Sequence, residues 1–146
     1  MRRPYIPSAL RQLVVERAGQ RCEYCQTPTA QFPVSFELEH VVAHTRGGAT
    51  TMDNLAFACP SCNRSKGVRS HAINAQTGRR VPLFNPRRQR WERHFAWSGD
   101  GTQIIGRTAT GRATVNALRM NRPAMCNLRR AWYAIGVHPA QTGAAE

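Results

Sequence analysis

Phe36–Gly67, FELEHVVAHTRGGATTMDNLAFACPSCNRSKG, is the stretch that decides the fold. A carboxylate stands beside a histidine at Glu39-His40, and a glycine pair follows at Gly47-Gly48. Then come Asp53-Asn54-Leu55 and a Cys-x-x-Cys, Cys59 and Cys62, that runs straight into Asn63-Arg64-Ser65-Lys66. A second Cys-x-x-Cys, Cys22 and Cys25, lies upstream. Two thiol pairs bracketing an acidic-histidine step point to two tasks: a structural metal that holds the fold, and a separate site for chemistry.

Local patterning gives these residues a scaffold. Phe36 and Leu38 alternate with Glu37 and Glu39, so Val34 to Ala43 has β character and the two glutamates share one face. Thr45 to Asp53 is a polar loop, Leu55 to Ala58 a short apolar strand, and Pro60 suits the first position of a helix. The order β, β, loop, α around the histidine is a compact finger. Upstream, Met1 to Pro7 reads as a basic arm. Ser8 is placed to cap a helix whose apolar positions Leu10, Val14 and Ala18 recur at helical spacing before Gly19. Arg21 to Cys25 is a tight turn presenting two thiols.

Cys22, Cys25, Cys59 and Cys62 can close a tetrahedral thiolate site around Zn²⁺. The 33 residues between the pairs make this a staple for the ends of the finger. Buried free cysteines are the bland alternative, but they commonly occur singly and not as two spaced pairs. Cys126 has no partner and is expected as a packed helix residue.

Phosphodiester hydrolysis needs a base for water, a cation for the developing charge, and donors that hold the strand. A neutral imidazole at His40 can take the proton. Glu39 offers a hard carboxylate oxygen and Asn63 an amide oxygen, a set that suits Mg²⁺ or another mostly water-coordinated divalent ion. Glu37, on the same face, is either an outer metal group or a solvent-facing residue. Asn54 has no chemical task of its own, but its side chain can clip the loop by backbone hydrogen bonds and so hold His40. His44 reads as a loop residue, and His71, His94 and His138 have no spacing that argues for a site.

Composition supplies the partner. At 146 residues with a net charge of +13, the chain suits one small domain or a domain with an appended lobe, facing a polyanion. Lys66 is the only lysine; every other cation is arginine, whose planar fork fits phosphates. Residues 71–146 carry twelve arginines against Glu92, Asp100 and Glu146, which is +9 of that total. This lobe reads as an extended Val81–Arg90 stretch after a turn at Gln76–Arg80. A hairpin turning at Gly99-Asp100-Gly101 follows, then helices near Thr110–Met120 and Pro123–Ile135, the second capped by Asn121 and ended by Gly136. Trp91 and Trp97 are expected in its core. Arg64, Lys66, Arg87, Arg88 and Arg90 are the expected phosphate contacts. No apolar run approaches a membrane span and MRRPYIPSAL lacks the apolar core of a signal peptide. The expected setting is therefore the reducing cytoplasm, where paired cysteines bind metal. Neither a membrane nor a small-molecule cofactor is expected.

In these motifs the chain resembles the HNH endonucleases, a branch of the His-Me finger (ββα-metal) nucleases, over Cys22 to about Gly67. The resemblance implies His40 as the general base, Asn54 as the loop clip, and Asn63 where many members carry a second, metal-binding histidine. Glu39 stands where aspartate is frequent, and the four cysteines match the structural zinc of a cysteine-containing subgroup. The expectation is an α+β protein: a zinc-stapled ββα-metal finger over residues 1–70 with an arginine-rich hairpin-plus-two-helix lobe over residues 71–146. Its expected activity is metal-dependent cleavage of double-stranded DNA. Two rivals share the charge and the cysteines: a non-catalytic zinc-dependent nucleic-acid-binding module, and a phage or repair accessory protein acting through contacts. The joint presence of His40, Glu39 and Asn63 tells against the first.

Overall fold

The chain enters its first helix through Pro7. In the computed structural model, which describes residues 3–140, α1 spans Ser8–Arg17. Pro7 holds the N-cap position and no side chain caps the helix, so Ser8 is the first helical residue and not the cap. The first two residues of the basic arm lie outside the described residues. Val14 is fully buried beside Leu55 and Phe57, and Leu10 and Ala18 pack against the same cluster. Arg17 spans from α1 to the finger, donating to the carbonyls of Met52 at 2.8 Å and Leu55 at 2.6 Å.

The finger follows. β1 (Glu37–His40) pairs antiparallel with β2 (Leu55–Ala58), with Glu37 opposite Ala58 and His40 opposite Leu55. β1 takes only four residues of the expected Val34–Ala43 stretch. Beyond it, Val41 still donates to the Asn54 carbonyl at 2.8 Å, but the next partner is the Asn54 side chain. β2 is buried along its whole length, as a strand covered on both faces should be. α2 (Pro60–Lys66) starts on Pro60, where the missing N–H costs nothing.

Among the described residues after residue 70 the chain builds two more hairpins, a one-turn helix and two longer helices. β3 (His71–Ile73) pairs with β4 (Arg80–Pro82), a hairpin the sequence reading had as a turn and extended chain. Its connection is an Asx turn: Asn74 Oδ1 accepts from the N–H groups of Gln76 and Thr77, and Gly78 takes φ +71°. The first strand of the hairpin expected to turn at Gly99-Asp100-Gly101 is shorter than that reading implies. Trp91–His94 forms a one-turn helix, α3, and only Phe95–Trp97 is strand, β5, paired with β6 (Ile104–Gly106). α4 (Ala109–Ala117) is capped by Thr108, whose hydroxyl accepts from Gly111. α5 (Pro123–Ala134) has Arg122 at its N-cap. Asn121, the expected cap, instead bonds both backbone groups of Ile104, each at 2.8 Å, tying β6 to the α4–α5 connection. Gly136 takes φ +82° just beyond α5.

One buried cluster draws on both halves of the sequence. It holds the four paired cysteines, Tyr24, Ala56 and Ala58, together with Leu83, Phe84, Phe95, Ile104 and Leu118. Trp91 and Trp97 pack against it, and the Trp91 indole N–H donates to the Tyr24 carbonyl at 2.8 Å. Cys126 is only half-buried, its thiol 3.5 Å from the Asn121 carbonyl. Among the described residues, no helix is long and apolar enough to cross a membrane.

Candidate active site and zinc centre

Cys22 and Cys25 lie in a turn ahead of the finger; Cys59 and Cys62 close its far end. All four are buried and unbridged, and their sulfur atoms lie within 4.8 Å of one another. The Cys25 and Cys59 sulfurs are 3.7 Å apart. A tetrahedral zinc with Zn–S bonds of ~2.3 Å requires sulfurs about 3.8 Å apart, so the donor set fits. Within each pair the first sulfur accepts from the N–H of the second cysteine, at 3.5 Å for Cys22 and 3.4 Å for Cys59. Among the described residues this is the one group of three or more histidine, cysteine and acidic side chains arranged to hold an ion.

His40 ends β1, half-buried, with Nε2 2.9 Å from the Thr50 hydroxyl. Burial lowers its pKa below the ordinary 6.5, and the neighbouring His44 ring, 5.8 Å away and exposed, lowers it further. Asn54 holds the loop that returns to His40. Its Oδ1 accepts from Val42 N–H at 2.8 Å, while Nδ2 donates to the carbonyls of Val42 at 3.0 Å and Ala49 at 2.9 Å. Gly48 is needed beneath this clip, because a Cβ there would lie 1.7 Å from the Val42 carbonyl oxygen.

Glu37 and Glu39 share a face of β1, and α2 docks against it with Asn63 and Lys66 one turn apart. The two acids therefore meet different partners. Asn63 donates to Glu37 Oε1 at 2.6 Å. Glu39 lies inside: Tyr24 donates to its Oε1 and Lys66 Nζ sits 3.4 Å from its Oε2. Lys66 also donates to the Val41 carbonyl at 3.0 Å. Burial raises the Glu39 pKa, against the opposing pull of Lys66 first and Tyr24 second.

Three expected placements change as a result. Each oxygen of Glu39 faces a partner inside the protein, whereas Glu37 keeps one oxygen without a hydrogen-bond partner among the described residues. Lys66 is 2% exposed and reaches Glu39, not a phosphate. Arg87 turns inward to pair with Glu23 and donates to the Leu55 carbonyl at 3.2 Å, whereas Arg64, Arg88 and Arg90 are exposed. Breaking the inner pair has a definite expected cost. Lys66→Met leaves a buried carboxylate without its counter-charge, which destabilises by about 3–5 kcal/mol in chemical denaturation. The penalty shrinks as pH falls, since a protonated Glu39 needs no partner. A loss under about 1 kcal/mol at neutral pH would show that the pair contributes little.

A cleft of about 830 Å³ lies over these groups, lined by Glu37, Glu39, His40, His44, Asn63 and Arg64, with the N-terminal arm along its other side. For a divalent ion, the chemistry of the donors fits at Glu37 and Asn63. Each retains an oxygen with no hydrogen-bond partner among the described residues, and both line the cleft with His40. Thr50 carried no signal in the sequence, because loop closure alone brings it to His40; Gly47-Gly48 stood out as a pair, but not the seat of Gly48 beneath the Asn54 clip.

An antiparallel strand pair followed by a helix, stapled by paired thiols and carrying a histidine at the end of its first strand, is a ββα-metal finger. Residues 22–69 match the family model for HNH endonuclease, and this segment is an HNH-family finger. The chain is also similar to the CRISPR-associated endonuclease Cas9 of Corynebacterium diphtheriae, at 40% identity over 63 residues. That match covers 42% of this chain and 6% of the relative, so the chain spans only a small part of the length of the curated protein it matches.

Proposed function

We propose that this chain is a metal-dependent endonuclease that hydrolyses DNA phosphodiester bonds, with His40 as general base. The observation that carries the reading is the single cleft in which His40, Glu37 and Asn63 stand beside the unpaired Arg64. With the proton on Nε2 and donated to the Thr50 hydroxyl, Nδ1 is left to take a proton from the attacking water. Asn54 holds the ring in place through the loop. Arg64 neutralises the phosphate being attacked. A divalent ion held by the oxygens of Glu37 and Asn63 would supply positive charge against the phosphorane and the leaving oxygen. Glu39, with Lys66 and Tyr24, sets β1 against α2 and so fixes the spacing of the other two.

Supercoiled plasmid incubated with and without Mg²⁺ or Mn²⁺, beside a His40→Ala variant, tests this reading. Metal-dependent relaxation by the parent alone supports it; no cleavage by folded, zinc-loaded protein would sink it. The non-catalytic binding reading uses the zinc and the charge but leaves the His40–Thr50 and Glu37–Asn63 pairs without a task.

Residues 71–146 serve in this reading as a basic lobe that packs on the finger and adds phosphate contacts. Its arginines differ in what they are free to do. Arg129 is buried and donates to the carbonyls of Thr102 and Met120, while Arg107 donates to that of Glu92. Arg88 and Arg90 are exposed, with no side-chain partner among the described residues. Arg88→Ala with Arg90→Ala flattens the log–log salt dependence of DNA binding by about 1.8, at ~0.9 per phosphate, and does so alike on every duplex sequence. An unchanged slope in the folded variant would remove these two from the interface.

A further inference from the structure

The cleft over His40 has a second wall, built by the N-terminal arm, which lies outside the segment that matches the HNH model. Arg3 and Tyr5 of the arm and Arg11 of α1 line the cleft that Asn63 and Arg64 also line. The arm is seated on the core: Ile6 and Leu10 pack against the cluster of Val14, Leu55 and Phe57. Pro4 and Pro7 fix φ on either side of Tyr5, which reduces the conformational entropy that the arm has to lose.

What the arm presents to the cleft is cationic and unused. Arg17 and Arg21, further along the same segment, spend their guanidinium groups on backbone carbonyls. Arg3 and Arg11 are exposed and make no side-chain hydrogen bond or ion pair among the described residues, and the same is true of Arg64 across the cleft. The acids of the cleft do not cancel them. Glu39 is matched by Lys66 inside the protein, which leaves Glu37 against three arginines. Tyr5 is 82% exposed on the same wall. An exposed aromatic ring lining the same cleft as two free arginines suits a strand of nucleic acid better than a small anion.

Resting on the nuclease reading above, we infer that the N-terminal arm is a nucleic-acid-binding element. Arg3 and Arg11 take backbone phosphates of the strand whose neighbouring phosphodiester lies at His40, so the substrate runs between the arm and α2. The experiment uses the full chain carrying His40→Ala, so that duplex DNA is bound and not cut, with affinity followed by fluorescence anisotropy across a salt series. Adding Arg3→Ala and Arg11→Ala flattens the log–log salt slope by about 1.8, for two phosphates released. Arg3→Lys with Arg11→Lys keeps the charge and restores the slope. Carried into the active enzyme, the Arg3→Ala and Arg11→Ala pair raises KM. If the His40→Ala chain with its arm intact fails to bind DNA, the nuclease reading falls with this inference. If it binds and the arm substitutions leave slope and KM unmoved, the arm inference alone is overturned.

Discussion

On the proposed nuclease reading, replacing His40 by alanine is expected to lower the rate of DNA cleavage by ~10²–10⁴-fold while DNA binding and zinc content are retained. The loss is large because the base acts in the transition state, and binding rests on other groups. His40 lies at the surface end of β1, where its removal opens no cavity in the core. A change in kcat with little change in Kd is therefore the expected signature. The pH profile carries the sign of the His40 environment. Burial and His44 lower its pKa, so the neutral form that accepts a proton predominates at pH 7. Activity falls only as pH drops below the ordinary 6.5, and this acid limb vanishes with the imidazole. Parental activity in His40→Ala, measured with the zinc content checked, would take the residue out of the mechanism.

Stripping the zinc, or substituting Cys59→Ser, unfolds the finger. Structural zinc sites of this kind contribute an apparent ~10–16 kcal/mol at neutral pH, comparable to or larger than the ~5–15 kcal/mol net stability of a whole domain. The reason extends beyond the finger itself. The four thiols belong to the same buried cluster as Phe84, Phe95 and Leu118, so losing the metal loosens packing on both sides of residue 70. Metal analysis should return one zinc per chain, and chelation should abolish the cooperative melt. Folded protein with no zinc, or an unchanged melt after chelation, contradicts the assignment.

The four-cysteine cluster was legible in the sequence because Cys-x-x-Cys is a local arrangement: the turn that presents each pair is written in adjacent residues. The placement of His40 at a strand end and the backbone clip by Asn54 were legible for a related reason, since both need only order and spacing. The two glutamates were not separable. Both project from one face of β1, and only the docking of α2 decides that Glu37 meets Asn63 while Glu39 meets Lys66. The inward turn of Arg87 was hidden likewise, because its partner Glu23 lies 64 residues away. Counting acids against arginines in residues 71–146 also misled, since Arg107 and Arg129 are satisfied by carbonyl oxygens that composition does not display. The β3–β4 hairpin escaped because three-residue strands carry too little alternation to stand out from a loop.

The seat of Trp91 has a practical side. Its indole N–H is bonded to the carbonyl of Tyr24, between the first two zinc thiols, and its ring centroid lies 5.4 Å from that of Trp97. Any loosening of that knuckle changes the polarity and the neighbour that this fluorophore sees. The chain thus carries an optical gauge of its metal centre, readable from intrinsic emission without a label.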